Sequence, residues 1–457
     1  IRKITIKNDI QMKTILVLGA GLSTSSLIKY LLDNSQKYNW KVVIGDISKD
    51  LANKKVSDHE NGEAIEFDVF NEEQREHEIK KANVVISMLP ARMHYWVAKD
   101  CVDNKVHMVT ASYVSEDIKD LDVQAKENGL LLLNEMGVDP GIDHMSAMQV
   151  IDKIWEKGGK LKAFESSTGG LVAPEYDDNP WGYKFTWNPR NVVVAGQGVS
   201  QFLHKGSIKY IPYHKLFQRT EKISIQDVGD FEIYPNRDSL KYIDVYGLKG
   251  LETMFRGTMR RPGYAEAWDI FVQLGLTEDT YTVKDSESLT YKQFIDSYLP
   301  YMKDVPVQRK IAKYLNVDEN GEAMKKLEWL GIFEDKKIDL PHATPAQILQ
   351  KLIEPKWKLR PEDKDMIVMI HLFDYILDNK RKRVKSSLVF KGQDNVHTAM
   401  SITVGVPVAI ATKLLLEGHI PLTGVHRPLS KEVYEPVMKE LAEYGIEFKE
   451  EEAEIED

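Results

Sequence analysis

Two glycines around an alanine, Gly19-Ala20-Gly21, stand between the apolar run Thr14-Ile15-Leu16-Val17-Leu18 and a stretch in which Leu22, Leu27, Ile28, Leu31 and Leu32 recur at approximately helical spacing. A turn without Cβ atoms lets the backbone approach a pyrophosphate, and the first N–H groups of the helix offer unpaired donors to its charge. Gly19, Ala20, Gly21, Leu22 and Ser23 therefore point to phosphate binding. Thr24 stands where a third glycine or alanine would allow close helix–strand packing, so a plain strand–helix turn is the alternative reading. A second apolar run, Lys41-Val42-Val43-Ile44-Gly45, ends in Asp46. At that place a carboxylate accepts both adenosine ribose hydroxyls and repels a 2′-phosphate. This favours NAD over NADP, with Lys49 as a phosphate partner on the other side of the balance and a turn cap as the bland role for Asp46.

Two further segments follow strand-like runs: Ser112-Tyr113, and Asn134-Glu135-Met136-Gly137-Val138-Asp139-Pro140-Gly141-Ile142-Asp143-His144. Ligands of open α/β sheets collect at the carboxyl ends of strands, which makes both segments candidates for an active site. Asp139-Pro140-Gly141 has as its alternative a plain turn before a helix capped by Asp143, and His144 is more simply a first-turn residue than an acid–base group. Later, Arg190, Arg237, Arg256, Arg260 and Arg261 gather among Trp, Pro and Gly residues. Guanidinium groups pair carboxylates bidentately, so the set suits a substrate with several carboxylates.

The elements that must position these residues are legible in the apolar pattern. Strand runs at 14–18, 41–45, 83–89, 106–110 and 130–133 alternate with helical segments, which predicts a parallel doubly wound sheet with right-handed crossovers. Past Gly158-Gly159, residues 160 to 262 carry short β-like runs such as Val192-Val193-Val194 and Glu232-Ile233-Tyr234, suggesting an antiparallel or mixed sheet with long loops. From Tyr264 to Lys382 the spacing of Ile348, Leu349, Leu352 and Ile353, and of Met366, Ile367, Met369 and Ile370, predicts helices. The basic run Lys380-Arg381-Lys382-Arg383-Val384-Lys385 is expected to be a solvated connection ahead of a strand at 386–390. Thr398 to Leu416 predicts a long apolar helix containing Pro407, and the acidic run at 447–452 a frayed end.

A chain of 457 residues with 42% hydrophobic and 29% charged residues fits a globular protein of two or three domains. A net charge of −9 argues against a nucleic-acid partner. No run reaches the roughly 18 apolar residues of a membrane span, and segment 1–7 lacks the apolar stretch of a signal peptide. The single Cys101 makes neither an intrachain disulfide nor a cysteine-based zinc site, so no metal is expected and a cytoplasmic setting fits.

The chain resembles the glutamate-forming saccharopine dehydrogenases, also called saccharopine reductases. The resemblance is carried by the 134–144 block, by Gly169-Gly170-Leu171-Val172-Ala173-Pro174-Glu175 and by Asp178-Asn179-Pro180-Trp181-Gly182-Tyr183-Lys184-Phe185-Thr186-Trp187. It continues through Tyr234-Pro235-Asn236-Arg237-Asp238-Ser239, Arg256-Gly257-Thr258-Met259-Arg260 and the segment Thr403 to Lys413. It implies an α/β protein: an N-terminal Rossmann domain, a mixed α/β substrate-binding and dimerisation domain, and a helical insertion. On this sequence these fall at 12–145, at 146–263 with 385–395, and at 264–384, with 396–457 packing back on the Rossmann domain.

The resemblance also implies oxidation of saccharopine by NAD(P)+ and water to glutamate and 2-aminoadipate 6-semialdehyde, or the reverse, by a homodimer. The cofactor positions it implies are Gly19 through Ser23, Asp46, Ile47, Ser48, Asp68, Val69, Leu89, Ala111, Ser112, Val138, Asp139 and Pro140. The implied substrate positions are Ser112, Tyr113, Asp139, Arg237, Thr258, Met259 and Arg260. The amine must lose its proton and water must attack the imine, for which Asp139 is the first candidate acid–base group, with Tyr113 placed to position the water. Two departures stand out: Thr168 where many relatives have cysteine, and Asp46 where users of NADP place basic or small hydroxyl residues. The rival readings are a polyamine enzyme of the carboxynorspermidine dehydrogenase or homospermidine synthase kind, and a non-catalytic NAD(P)-binding regulatory protein. The five arginines favour neither polyamine substrate, which carries more positive charge and fewer carboxylates.

Overall fold

The computed structural model describes residues 12–226 and 228–456; segment 1–7, read above for a signal peptide, lies outside the described residues. Two compact units divide the chain: residues up to 153 with 399–447, and residues 154–398 with the segment from 448 onward.

In the first unit, β1 (Lys13–Leu18), β2 (Trp40–Asp46), β3 (Gly62–Glu66), β4 (Val84–Ser87), β5 (His107–Thr110) and β6 (Leu131–Leu133) form a parallel sheet with a late strand, β15 (Gly424–His426), strands being numbered along the whole chain. The order β15-β6-β5-β4-β1-β2-β3 reverses its direction of growth between β1 and β4, the point at which such sheets hold ligands. Ile15, Leu16, Val17, Val84, Val85 and Ile86 are buried on both faces, which is why these strands appear as unbroken apolar runs. Thr24 is buried and its hydroxyl donates to the Gly21 carbonyl at 2.8 Å, closing a single 3-10 turn ahead of the helix Ser25–Tyr38. The apolar helix Ala399–Leu416, with Pro407 inside, packs on that helix. A Cβ at Gly405 would lie 2.8 Å from the Leu27 nitrogen, so the close approach needs glycine. This helix is long and apolar enough to cross a membrane, and most of it is buried in the protein.

The second unit is built on a mixed sheet of β7 (Lys160–Val172), β8 (Val199–His204), β9 (Ser207–Pro212), β10 (Glu221–Ile225), β11 (Gly229–Pro235), β12 (Thr253–Arg260), β13 (Asp365–Leu377), β14 (Lys380–Lys391) and β16 (Lys449–Glu454). β12 runs parallel to β7 and the other pairings are antiparallel. One face packs on helices that include Tyr264–Gln273, Glu322–Leu330 and Pro345–Trp357, around the buried rings of Trp181, Trp268 and Trp357.

Four expectations are corrected here. Val192 and Val193 belong to the short helix Pro189–Val193, not to a strand, because Asn188 caps it through the Arg190 N–H at 2.9 Å and Pro189 opens it. The helical region does not extend to 384: Met366, Ile367, Met369 and Ile370 lie on β13, buried on both faces. The basic run is the first half of β14, not a connection. The acidic run is not frayed: 449–454 forms β16, whose Glu452 and Glu454 face Lys382 and Lys380 at 3.0 and 2.8 Å. This last strand therefore groups with the second unit, while 399–447 groups with the first.

Candidate functional site

At the carboxyl edge of the first unit, Gly19 adopts φ +106°, and its N–H donates to the Gly45 carbonyl at 2.8 Å. A Cβ there would meet the Met88 carbonyl oxygen at 2.9 Å, so the turn fits against the end of β4 only as glycine. A Cβ at Gly21 would meet nothing within 4 Å: the turn leaves open space on the side where a pyrophosphate must approach backbone N–H groups. The residues present thus fit a dinucleotide. Leu22, Ile47 and Phe70, each shortly beyond the end of its strand, are exposed apolar side chains along the same edge.

Asp46 links the first two of these segments. Its Oδ2 accepts the Ala20 N–H at 2.7 Å and its Oδ1 the Ser48 N–H at 2.9 Å. Ser48 in turn caps the helix Lys49–Val56 through its hydroxyl. Asp46 is therefore a turn cap, and with two further lone-pair positions on its oxygens it keeps acceptor capacity for a ribose. Asp68 is exposed and receives the Phe70 N–H at 2.9 Å, whereas the Val69 side chain is buried in the core and Leu89 is partly buried against it.

The loops after β5 and β6 are joined. Ser112 accepts the Glu135 N–H through its carbonyl at 3.0 Å, and Gly137 brings its segment so near Ala111 that a Cβ would lie 3.1 Å from the Ala111 Cβ. Val138, Asp139 and Pro140 form a tight loop in which Gly137 N–H meets the Pro140 carbonyl at 2.9 Å and Asp143 Oδ1 accepts the Gly141 N–H at 2.6 Å. The Asp139-Pro140 peptide is cis. Tyr113 is exposed and Asp139 half-buried. His144, by contrast, is fully buried and its Nε2 lies 2.8 Å from Glu135 Oε2, so it faces the interior rather than a ligand.

In the second unit the five arginines separate into different roles. Arg190 is engaged by Asp279, Arg256 lies 4.1 Å from the centre of the Tyr242 ring, and Arg261 donates to the Val228 carbonyl at 3.0 Å. Arg237 is exposed on a left-handed residue, φ 42°, beyond the end of β11. Arg260 differs from all of them. It is 5% exposed and caged by the rings of Tyr183, Tyr264 and Tyr234 at 4.9, 5.4 and 6.0 Å; one Nη donates to the Met259 carbonyl at 2.8 Å, and no carboxylate pairs with it among the described residues. Its Nε has no partner, nor has the buried hydroxyl of Tyr183. Burial works against the charge, and the surrounding tyrosines hold the guanidinium above its ordinary range. Thr258 is half-buried and pairs in register with Thr168, whose buried hydroxyl is likewise unpartnered. Met259 points its side chain into the core, so only its backbone is available there.

Two family models match the chain: residues 15–133 match the saccharopine dehydrogenase NADP binding domain, and residues 137–446 the saccharopine dehydrogenase C-terminal domain. The chain belongs to the saccharopine dehydrogenase family. Within that family it is 33% identical over 450 residues to saccharopine dehydrogenase [NADP(+), L-glutamate-forming] of Pyricularia oryzae, covering 96% of this chain and 98% of the relative. It is also 33% identical to the mitochondrial alpha-aminoadipic semialdehyde synthase of Rattus norvegicus over 95% of this chain; the match spans only 47% of that longer protein. Among solved structures, apo saccharopine dehydrogenase (L-Glu forming) from Saccharomyces cerevisiae superposes with a TM-score of 0.88 at 32% identity, over 96% of this chain and 100% of the other. The homospermidine synthase of Legionella pneumophila, at 9% identity and a TM-score of 0.56, shares the fold alone.

Proposed function

We propose that this saccharopine dehydrogenase family member oxidises saccharopine with a nicotinamide dinucleotide and water to L-glutamate and L-2-aminoadipate 6-semialdehyde, or runs the reverse reduction. The observation that carries the reading is the Arg260 guanidinium, buried in an aromatic cage with no carboxylate paired to it among the described residues. A buried charge without a partner is costly unless a ligand completes it, and a carboxylate-rich substrate does so. Names of full-length fungal relatives at 33% identity support the same reaction.

The bound cofactor supplies the hydride acceptor. The chain's own residues orient and exchange protons: Arg260, with exposed Arg237, holds carboxylates and so fixes the substrate C–H. Asp139 takes the proton of the secondary amine, and Tyr113 positions the water that attacks the carbon–nitrogen double bond. The test is steady-state turnover of purified protein with saccharopine and each cofactor. Reduction of neither cofactor would sink the proposal.

NAD+ is the preferred cofactor in this reading. Asp46 places an acidic side chain at the end of β2, and Glu66, paired with it in register on β3, is exposed beside it. Both disfavour a 2′-phosphate. The fungal relatives carry NADP(+) in their names, so the preference needs its own measurement. Asp46→Asn keeps the acceptor for Ala20 and removes the charge; it is expected to raise the kcat/KM ratio of NADP+ to NAD+ by about tenfold, roughly 1.4 kcal/mol. A wild type that prefers NADP+ would overturn the preference while leaving the reaction intact. A homodimer in the cytoplasm completes the proposal, on the family resemblance and on the lone, fully buried thiol of Cys101; sedimentation as a monomer at micromolar concentration would remove the first part.

A further inference from the structure

Glu135 is buried on a left-handed residue, φ 62°, immediately after β6. Three segments meet on its side chain. Oε1 accepts the Val114 N–H at 3.0 Å and Nε of Arg427, which follows β15, at 2.7 Å; Oε2 faces Nε2 of His144 at 2.8 Å. Its backbone N–H also donates to the Ser112 carbonyl, so Glu135 brackets Tyr113 from both sides, once by main chain and once by carboxylate. His144 opens the helix that leaves the Asp139 loop, and its own N–H binds the Gly141 carbonyl at 3.0 Å.

We infer that Glu135 is a positioning residue: its carboxylate cross-links the Tyr113 loop to the Asp139 loop and fixes the spacing of the two groups to which proton and water handling are assigned. The inference rests on the reaction proposed above for the roles of Tyr113 and Asp139, and on the hydrogen bonds alone for the cross-link. The electrostatics agree. Burial would push the carboxyl up, but the hydrogen bond and charge of His144 and the charge of Arg427 outweigh it and hold Glu135 at about 2. It is thus an ionised acceptor at any working pH. Its hydrogen bonds run to the main chain on either side of Tyr113, to His144 and to Arg427, which makes its role positioning rather than catalysis.

The test compares Glu135→Gln, Arg427→Met and Arg427→Lys in the full chain by two readouts. The first is kcat against KM for saccharopine. A displacement of about 1 Å between catalytic groups costs on the order of 100-fold, so Glu135→Gln is expected to lower kcat by about 100-fold with KM changed less than about threefold. Arg427→Met should follow it, and Arg427→Lys, which keeps a cation on Oε1, should recover most of kcat. The second readout is hydrogen exchange: amides at 112–114 and 137–143 should exchange about tenfold faster in Glu135→Gln, with the helix Ser25–Tyr38 unchanged. Unchanged kcat, or exchange rising uniformly across the unit, would overturn the inference by leaving Glu135 only a folding role. If the wild type turned over no saccharopine, the reaction proposal would fall, while the exchange pattern would still decide whether Glu135 joins the two loops.

Discussion

The glycine turn of the first unit and the arginine cage of the second, which the proposed function assigns to cofactor phosphates and substrate carboxylates, present their donors in opposite ways. At Gly21 to Ser23 the donors are main-chain N–H groups at a helix start, while those of Gly19 and Ala20 are already bonded to Gly45 and Asp46, and the essential feature is an absence of side chain: Gly19 fits under Met88 and Gly21 leaves space. Around Arg260 the donor is a full charge withdrawn from water into three tyrosine rings. The open turn costs the apo fold little and tolerates any phosphate of the right shape. The buried guanidinium is kept charged by the tyrosines around it, and its unused Nε donor is what a carboxylate would complete. On the proposed function, cofactor capture is a property of backbone geometry, and substrate choice one of a desolvated charge.

Arg260→Met gives the largest expected break in that contrast. Loss of a buried charged donor costs roughly 2–5 kcal/mol, which predicts a fall in kcat/KM for saccharopine of thirtyfold or more, on the order of 1,000-fold. Apo Tm should shift far less than turnover falls, because removal of a buried charge offsets the loss of its contacts with the three rings. A parallel loss of NADH binding would refute the division between the two regions.

Acid should act on the first unit next. Glu135 is held at about 2 against an ordinary 4.5. A depressed carboxyl stabilises the fold above its unfolded value and loses that contribution as pH falls from about 4.5 towards 2, roughly 3 kcal/mol in all. Urea unfolding of wild type should weaken steeply over that window, and the Glu135→Gln variant should show a flatter profile. Identical slopes would remove the assignment.

Gly19→Ala sharpens the backbone side of the comparison. Its φ of +106° and the Met88 oxygen at 2.9 Å predict a loss of about 1–3 kcal/mol in stability together with weaker NADH binding, measured by calorimetric melting and fluorescence titration. The smallest effect belongs to the charged ladder between β14 and β16. Glu454 is exposed and pairs with exposed Lys380, so Glu454→Gln should move Tm by no more than about 2 °C, less still in high salt.

Part of this architecture was legible in the chain because its cause is local. Continuous apolar runs such as 14–18 and 84–87 imply strands buried on both faces, and a glycine turn before a helix implies the phosphate edge. The same continuity misled at 366–370, where residues buried on both faces of β13 carry no period that separates strand from helix. The basic and acidic runs misled for another reason. Each alone looks solvated, and only their pairing across some 70 residues of sequence makes β14 and β16.

Residue types at the site divide along the same line. Gly19, Asp46, Asp139 and Arg260 could be proposed from spacing and family resemblance, since a turn, a strand end or a motif is short-range information. That Asp46 spends an oxygen on Ala20, that Arg260 has no carboxylate partner among the described residues while Arg190 is taken by Asp279, and that Glu135 gathers Val114, His144 and Arg427 depend on contacts between residues 9 to 292 positions apart. Sequence by itself determined the parallel nucleotide-binding sheet, because hydrophobic periodicity and glycine geometry are written residue by residue, while its motifs pointed to the reaction only through the family they resemble. Only the tertiary structure decided which charges are left for a ligand, because a side chain's partner, and hence its desolvation, exists only once distant segments have met.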